Sequence, residues 1–145
     1  MSAAEPEDTW ISDEYVSYIE EISAEYGICP ELIEAIVEHE SSGQATATNG
    51  NCKGLMQIYE KYHTDRMKRL GVTDLYDPYG NILVGVDYLA ELAMKYQDIG
   101  TVLMAYNGSS NAVSRGESGD YTEYALSIME RSYELETLHG KHDYY

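Results

Sequence analysis

The sequence contains no phenylalanine, one tryptophan, three prolines and two cysteines, and it sets nine basic residues against 26 acidic ones. Each shortage removes a class of protein. With a formal net charge of −17 there is no basic stripe to neutralise phosphates, which excludes nucleic acid as a partner. The same balance speaks against tight binding to anionic membranes, and no run approaches the roughly 18 apolar residues of a membrane span. The cysteines form no C-x-x-C pair, and the four histidines (39, 63, 139 and 142) show no ligand spacing relative to them, so no metal site is expected. The opening "MSAAEPEDTW" is acidic and lacks the charged-then-apolar pattern of a signal peptide; an exported protein would carry its signal elsewhere.

What remains is a chain of 145 residues, enough for one domain with a single core, and unusually rich in tyrosine with 15. Tyrosine buries an aromatic body and keeps a hydroxyl for a partner, and aromatic faces suit carbohydrate rings. The acidic surface is read as solubilising. An anionic polymer would have to be bound by shape and hydrogen bonds in a groove.

The hydrophobic pattern is helical nearly throughout. In "SDEYVSYIEEISAEY" (12–26), Ser12 is placed to cap a helix whose apolar positions Tyr15, Tyr18, Ile19, Ile22 and Tyr26 recur at helical spacing, and Gly27 stops it. Pro30 opens a second helix, "ELIEAIVEHES". The stretch 42–53, "SGQATATNGNCK", has loop composition with an Asn-Gly turn and room for a small hairpin. A mixed, broken segment is expected over 55–70. Asp77-Pro78 starts the longest helix, "NILVGVDYLAELAMKY", in which Gly85 permits a close contact, and "TVLMAYN" and "YTEYALSIMERSYELETL" are further helices. The expectation is an all-α domain over 12–138, with an N-terminal extension (1–11) and a frayed tail (139–145).

One stretch, "IVEHESSG", places Glu38, His39 and Glu40 at the end of the second helix. At about 100° per residue, Glu40 lies about 40° from Ile36 and about 20° from Ile33, on the apolar face. Glu34 and Glu38 project about 200° away and are assigned to solvent. A carboxyl in the last turn of an apolar face is disfavoured as an anion, because both desolvation and the negative end of the helix dipole oppose its charge. A raised pKa suits a general acid. A buried Glu that only hydrogen-bonds the following loop fits the same pattern.

Four pieces then arrive in order: "HESSG", "GLMQI" (54–58), "LYDPYGNILVGVDYL" and "AYNG" (105–108). Together they resemble the catalytic domain of the soluble lytic transglycosylases, glycoside hydrolase family 23, related in fold to goose-type lysozyme. The resemblance implies a mainly helical lysozyme-like domain without cofactor or metal. It would act as a monomer outside the cytoplasm and cut the β-1,4 bond between N-acetylmuramic acid and N-acetylglucosamine in peptidoglycan. It makes Glu40 the single catalytic acid/base and leaves a 1,6-anhydro product. The loop 42–53 contains no acid where goose-type relatives place an aspartate; Asp65, Asp74 and Asp77 are second-carboxylate candidates by chain position only. A hydrolytic muramidase and a glycan-binding module without activity are the alternatives.

By the same resemblance Ser41, Gln57, Tyr106, Asn107 and Tyr124 contact substrate or orient Glu40, although Asn107 equally suits a helix end before Gly108, and Thr48 or Asn49 stands near the usual substrate-binding serine of the loop. The chain departs from the family at Tyr59-Glu60, where Met-Pro is common, and Tyr59 offers a ring for sugar stacking. A Cys29–Cys52 disulfide is also expected; it would close a loop around Glu40 and contribute about 3 kcal/mol.

Overall fold

The computed structural model describes residues 5–142. Seven α-helices carry the fold: α1 (Asp13–Tyr26), α2 (Pro30–Ser41), α3 (Thr64–Leu70), α4 (Pro78–Lys95), α5 (Ile99–Tyr106), α6 (Ala112–Ser118) and α7 (Glu123–Leu138). Three two-residue strands, β1 (Thr48–Asn49), β2 (Cys52–Lys53) and β3 (Ile58–Tyr59), make an antiparallel sheet in that order, and a 3₁₀ turn spans Glu60–Tyr62. The hairpin allowed for in the loop is therefore present, extended by a third strand. The broken segment after Leu55 resolves into β3, the 3₁₀ turn and α3.

Local chemistry explains most helix ends. Gly27 ends α1 in the left-handed conformation at φ 66°, which costs glycine nothing. Asp77 caps α4 by accepting from the Gly80 amide at 3.3 Å, Asp98 caps α5 through Thr101, and Thr122 caps α7 through Ala125. Ser12 occupies the N-cap position of α1 without a side-chain bond.

The core gathers on α2, which α7 and α1 pack against. Ile33 and Ile36 are fully buried there, with Leu89 of α4, Leu103 of α5 and Ile128 of α7. This central position overturns the solvent assignment of Glu34 and Glu38, which are 1% and 7% exposed. A helical projection assumes one wet face, and here α7 covers it. Glu38 takes a two-pronged bond from Arg131 of α7, at 2.7 and 3.1 Å. Glu31, also buried, is met by His139 at 2.6 Å and by Lys141, so residues just after α7 are tied back to the start of α2. Among the described residues Glu34 has no such partner, and its Oε1 is buried without a hydrogen bond.

The disulfide expectation is also overturned: Cys29 and Cys52 are both free thiols. Cys29 is the residue before α2, and Cys52 lies near Glu40 at the helix's other end. The 12-residue helix between them is about 18 Å long. A disulfide needs Cα atoms within about 7 Å.

Candidate active site

Glu40 sits in the last turn of α2, half-buried, and its Oε2 accepts a hydrogen bond of 2.9 Å from the Tyr124 hydroxyl. Burial raises its pKa, and the Tyr124 bond opposes part of that rise. Among the described residues no other carboxylate contributes to the shift. Of the three aspartates named from chain position, Asp77 caps α4, Asp74 accepts from the Tyr76 amide at 2.9 Å, and Asp65 is exposed in the first turn of α3.

Tyr106 and Cys52 join Tyr124 within reach of the Glu40 charge. Tyr106, at the end of α5, donates to the Met56 carbonyl at 2.8 Å; burial and then the charge of Glu40 hold its phenol well above the ordinary range. Tyr124 is shifted upward by burial and by the same charge. Both phenols therefore remain donors. Cys52 on β2 is raised by burial and by Glu40, which places its thiol on the same side. In the sheet register Asn49, Cys52 and Tyr59 are cross-strand partners and share a face, whereas Thr48, Lys53 and Ile58 share the other. Tyr59 thus shares a face with Cys52, and its ring meets Tyr62 at 4.8 Å. Thr48 is on the opposite face, and its hydroxyl meets Tyr76 at 2.7 Å.

The other expected residues act on the frame. Ser41 donates to the Val37 carbonyl at 3.0 Å and accepts from the Gly43 amide at 3.2 Å, which secures the end of α2 and leaves the Glu40 carboxyl to Tyr124. Gln57 adopts φ 52°, unusual without glycine, and its amide donates to Ala47 and Gly54 carbonyls while accepting from Asn49. It cross-links the sheet loop. Asn107 is exposed at the end of α5.

Sequence reasoning missed Asn81. It is fully buried on α4, accepts from the Met56 amide at 2.7 Å and donates to the Lys53 and Leu75 carbonyls at 2.8 Å each. A polar residue on an otherwise apolar helix face was the available signal. A Cβ on Gly54 would collide with Asn81, and one on Gly85 with Met56, so both glycines let the "GLMQI" turn lie against α4. The close contact permitted by Gly85 is made by Met56. An apolar cavity of about 410 Å³ beside Cys29, Leu32, Leu89 and Met129 lies at the opposite end of α2 and takes no part in this constellation.

Fold and site together define a lysozyme-like helical domain that presents one desolvated carboxyl acid among tyrosine donors. The chain belongs to the transglycosylase SLT domain family, whose model matches residues 17–127. It is 40% identical over 95 residues to the "Transglycosylase" of Enterobacteria phage PRD1, covering 65% of this chain and 34% of that protein. It is 35% identical over 135 residues to the membrane-bound lytic murein transglycosylase C of Mannheimia succiniciproducens, covering 81% of this chain and 37% of the relative. The chain thus spans little more than a third of the length of these relatives. Its fold matches the crystal structure of an inactive mutant of the lytic transglycosylase Slt from Pseudomonas aeruginosa, with a TM-score of 0.73 and 17% identity, over 88% of this chain and 24% of that one. Among the described residues no helix is long and apolar enough to cross a membrane.

Proposed function

We propose that this chain is a peptidoglycan lytic transglycosylase acting outside the cytoplasm, with Glu40 as its only acid/base. The observation that carries the reading is the Glu40 carboxyl, raised in pKa by burial and bonded by Tyr124 at 2.9 Å, with no second carboxylate among the described residues contributing to that shift. The family and the names of the relatives support the substrate class.

In the first step protonated Glu40 gives its proton to the glycosidic oxygen while the C1–O bond breaks. The positive charge on the muramyl ring is shared with its 2-acetamido group. In the second step the Glu40 carboxylate takes the proton of the muramyl 6-hydroxyl as that oxygen bonds to C1. The 1,6-anhydro ring closes without water, and Glu40 ends protonated as it began. A hydrolase working with two carboxyl groups would need the second about 5–9.5 Å away. Tyr124, kept protonated against Glu40, supplies a donor for the carboxylate that forms, while the Tyr106 hydroxyl is committed to the Met56 carbonyl and helps fix the wall of the site. Gln57 and Ser41 serve the reaction by holding the loop and the helix end.

The test is digestion of purified peptidoglycan with product masses read by mass spectrometry. Anhydro products, each lighter by one water than a hydrolysis product, are expected. Glu40→Gln should lower the rate by about 10²–10⁴-fold, the usual worth of a general acid, without changing its thermal melt. Products with reducing ends would instead establish a muramidase, and binding without cleavage a glycan-binding module.

A further inference from the structure

Trp10, the chain's single tryptophan, precedes α1 and lies outside the span the family model matches. It is 61% exposed, yet it is firmly held. Its indole N–H donates to the Ser42 carbonyl at 3.1 Å, two residues beyond Glu40. The Arg131 guanidinium stands 5.9 Å from the ring centre, itself fixed by its two bonds to Glu38. A large ring anchored at its edge, with most of its surface in water, is a prepared platform.

The platform is connected to the site. A hollow of about 160 Å³ is bounded by Trp10, Glu38, His39, Ser127 and Arg131. His39 meets the Tyr124 ring edge-on at 5.0 Å, and Tyr124 holds Glu40. Tyr124 and Arg131 lie on one face of α7, seven residues apart, which is about 10 Å along the helix axis. Aromatic surface beside polar donors and acceptors suits a sugar ring, whose C–H face packs on the indole while its hydroxyls bond at the edge.

We propose that Trp10 is a glycan-stacking residue, which binds a saccharide unit of the strand beyond the bond cleaved at Glu40. The assignment rests on the peptidoglycan reading above and adds a contact from outside the matched domain. It makes the N-terminal segment part of substrate recognition, favouring long strands over short ones.

Being the sole tryptophan, Trp10 reports on itself. The Glu40→Gln protein is titrated with soluble glycan strands stripped of stem peptides, with tryptophan emission, acrylamide quenching and binding heat followed together. Occupied strands should shift the emission to the blue and protect it from acrylamide. In the active enzyme Trp10→Ala should raise KM for long strands about tenfold, equivalent to ~1.4 kcal/mol. The effect should shrink on short strands, and Trp10→Phe should recover part of it. Binding heat with unchanged emission and quenching overturns the Trp10 assignment alone. Absence of binding heat overturns the substrate reading and this assignment with it. Equal loss on short and long strands, with a lowered melting temperature, identifies Trp10 as a structural strap and overturns the proposal.

Discussion

Two opposing effects act on the proton of Glu40, the acid proposed for catalysis. Burial favours the protonated carboxyl, and the Tyr124 bond favours the carboxylate. Removing that bond with Tyr124→Phe raises the Glu40 pKa further. A general acid is active while protonated, so the alkaline limb of the pH–rate profile should move to higher pH in the variant. The pH dependence of kcat/KM checks this, and an unmoved limb would separate Tyr124 from the acid. The inward projection of Glu40 was legible in the sequence, because a single apolar stripe is enough to orient it. The family resemblance placed Tyr124 only in the cleft and gave the position near Glu40 to Tyr106; the Tyr124–Glu40 bond joins residues 84 apart, which no local pattern shows.

At the scale of the element, α2 does two jobs. Its C-terminal turn presents the acid, and its middle is a packed core helix whose glutamates face other helices. Glu38 is buried only because Arg131 neutralises it. Arg131→Met should cost about 3–5 kcal/mol in urea unfolding, since an unpaired carboxylate is left inside. Replacing both partners by leucine should cost far less. The error of placing Glu34 and Glu38 in solvent has a plain cause: periodicity shows which face is apolar and is silent about whether the polar face will be covered. The sheet loop is the contrasting element. Its turn composition was readable, while Gln57 and Asn81 found their roles through backbone groups that no side-chain pattern encodes.

For the whole molecule, the charges around the start of α2 govern stability against pH. Burial first, and the charge of Glu31 second, raise the pKa of Glu34 to about 7. An acid whose folded pKa lies above its unfolded value loses stability as pH rises between the two, here from about 4.5 to about 7. His139 is raised chiefly by its bond to Glu31, so its contribution is full below its unfolded pKa and is lost as pH climbs through the folded one. The two act in the same direction. Urea melts should show stability falling from pH 5 to pH 8 by about 3 kcal/mol, and Glu34→Gln should flatten most of the fall. At the acid end Glu31, lowered to about 2 by Lys141 and His139 against an opposing burial effect, protects the fold until pH drops below its ordinary range.

The sequence by itself determined the helical architecture, the helix stop at Gly27 and the helix start at Asp77, and the inward turn of Glu40. These depend on spacing and on residues close in the chain, and local geometry is enough to state them. Only the tertiary structure decided that α7 buries Glu34 and Glu38, that Cys29 and Cys52 sit too far apart to bridge, and that Trp10 reaches the end of α2. Each of those depends on how rigid elements from distant parts of the chain meet. A helix of fixed length separates the thiols, and the packing of a second helix turns a polar face into an interior.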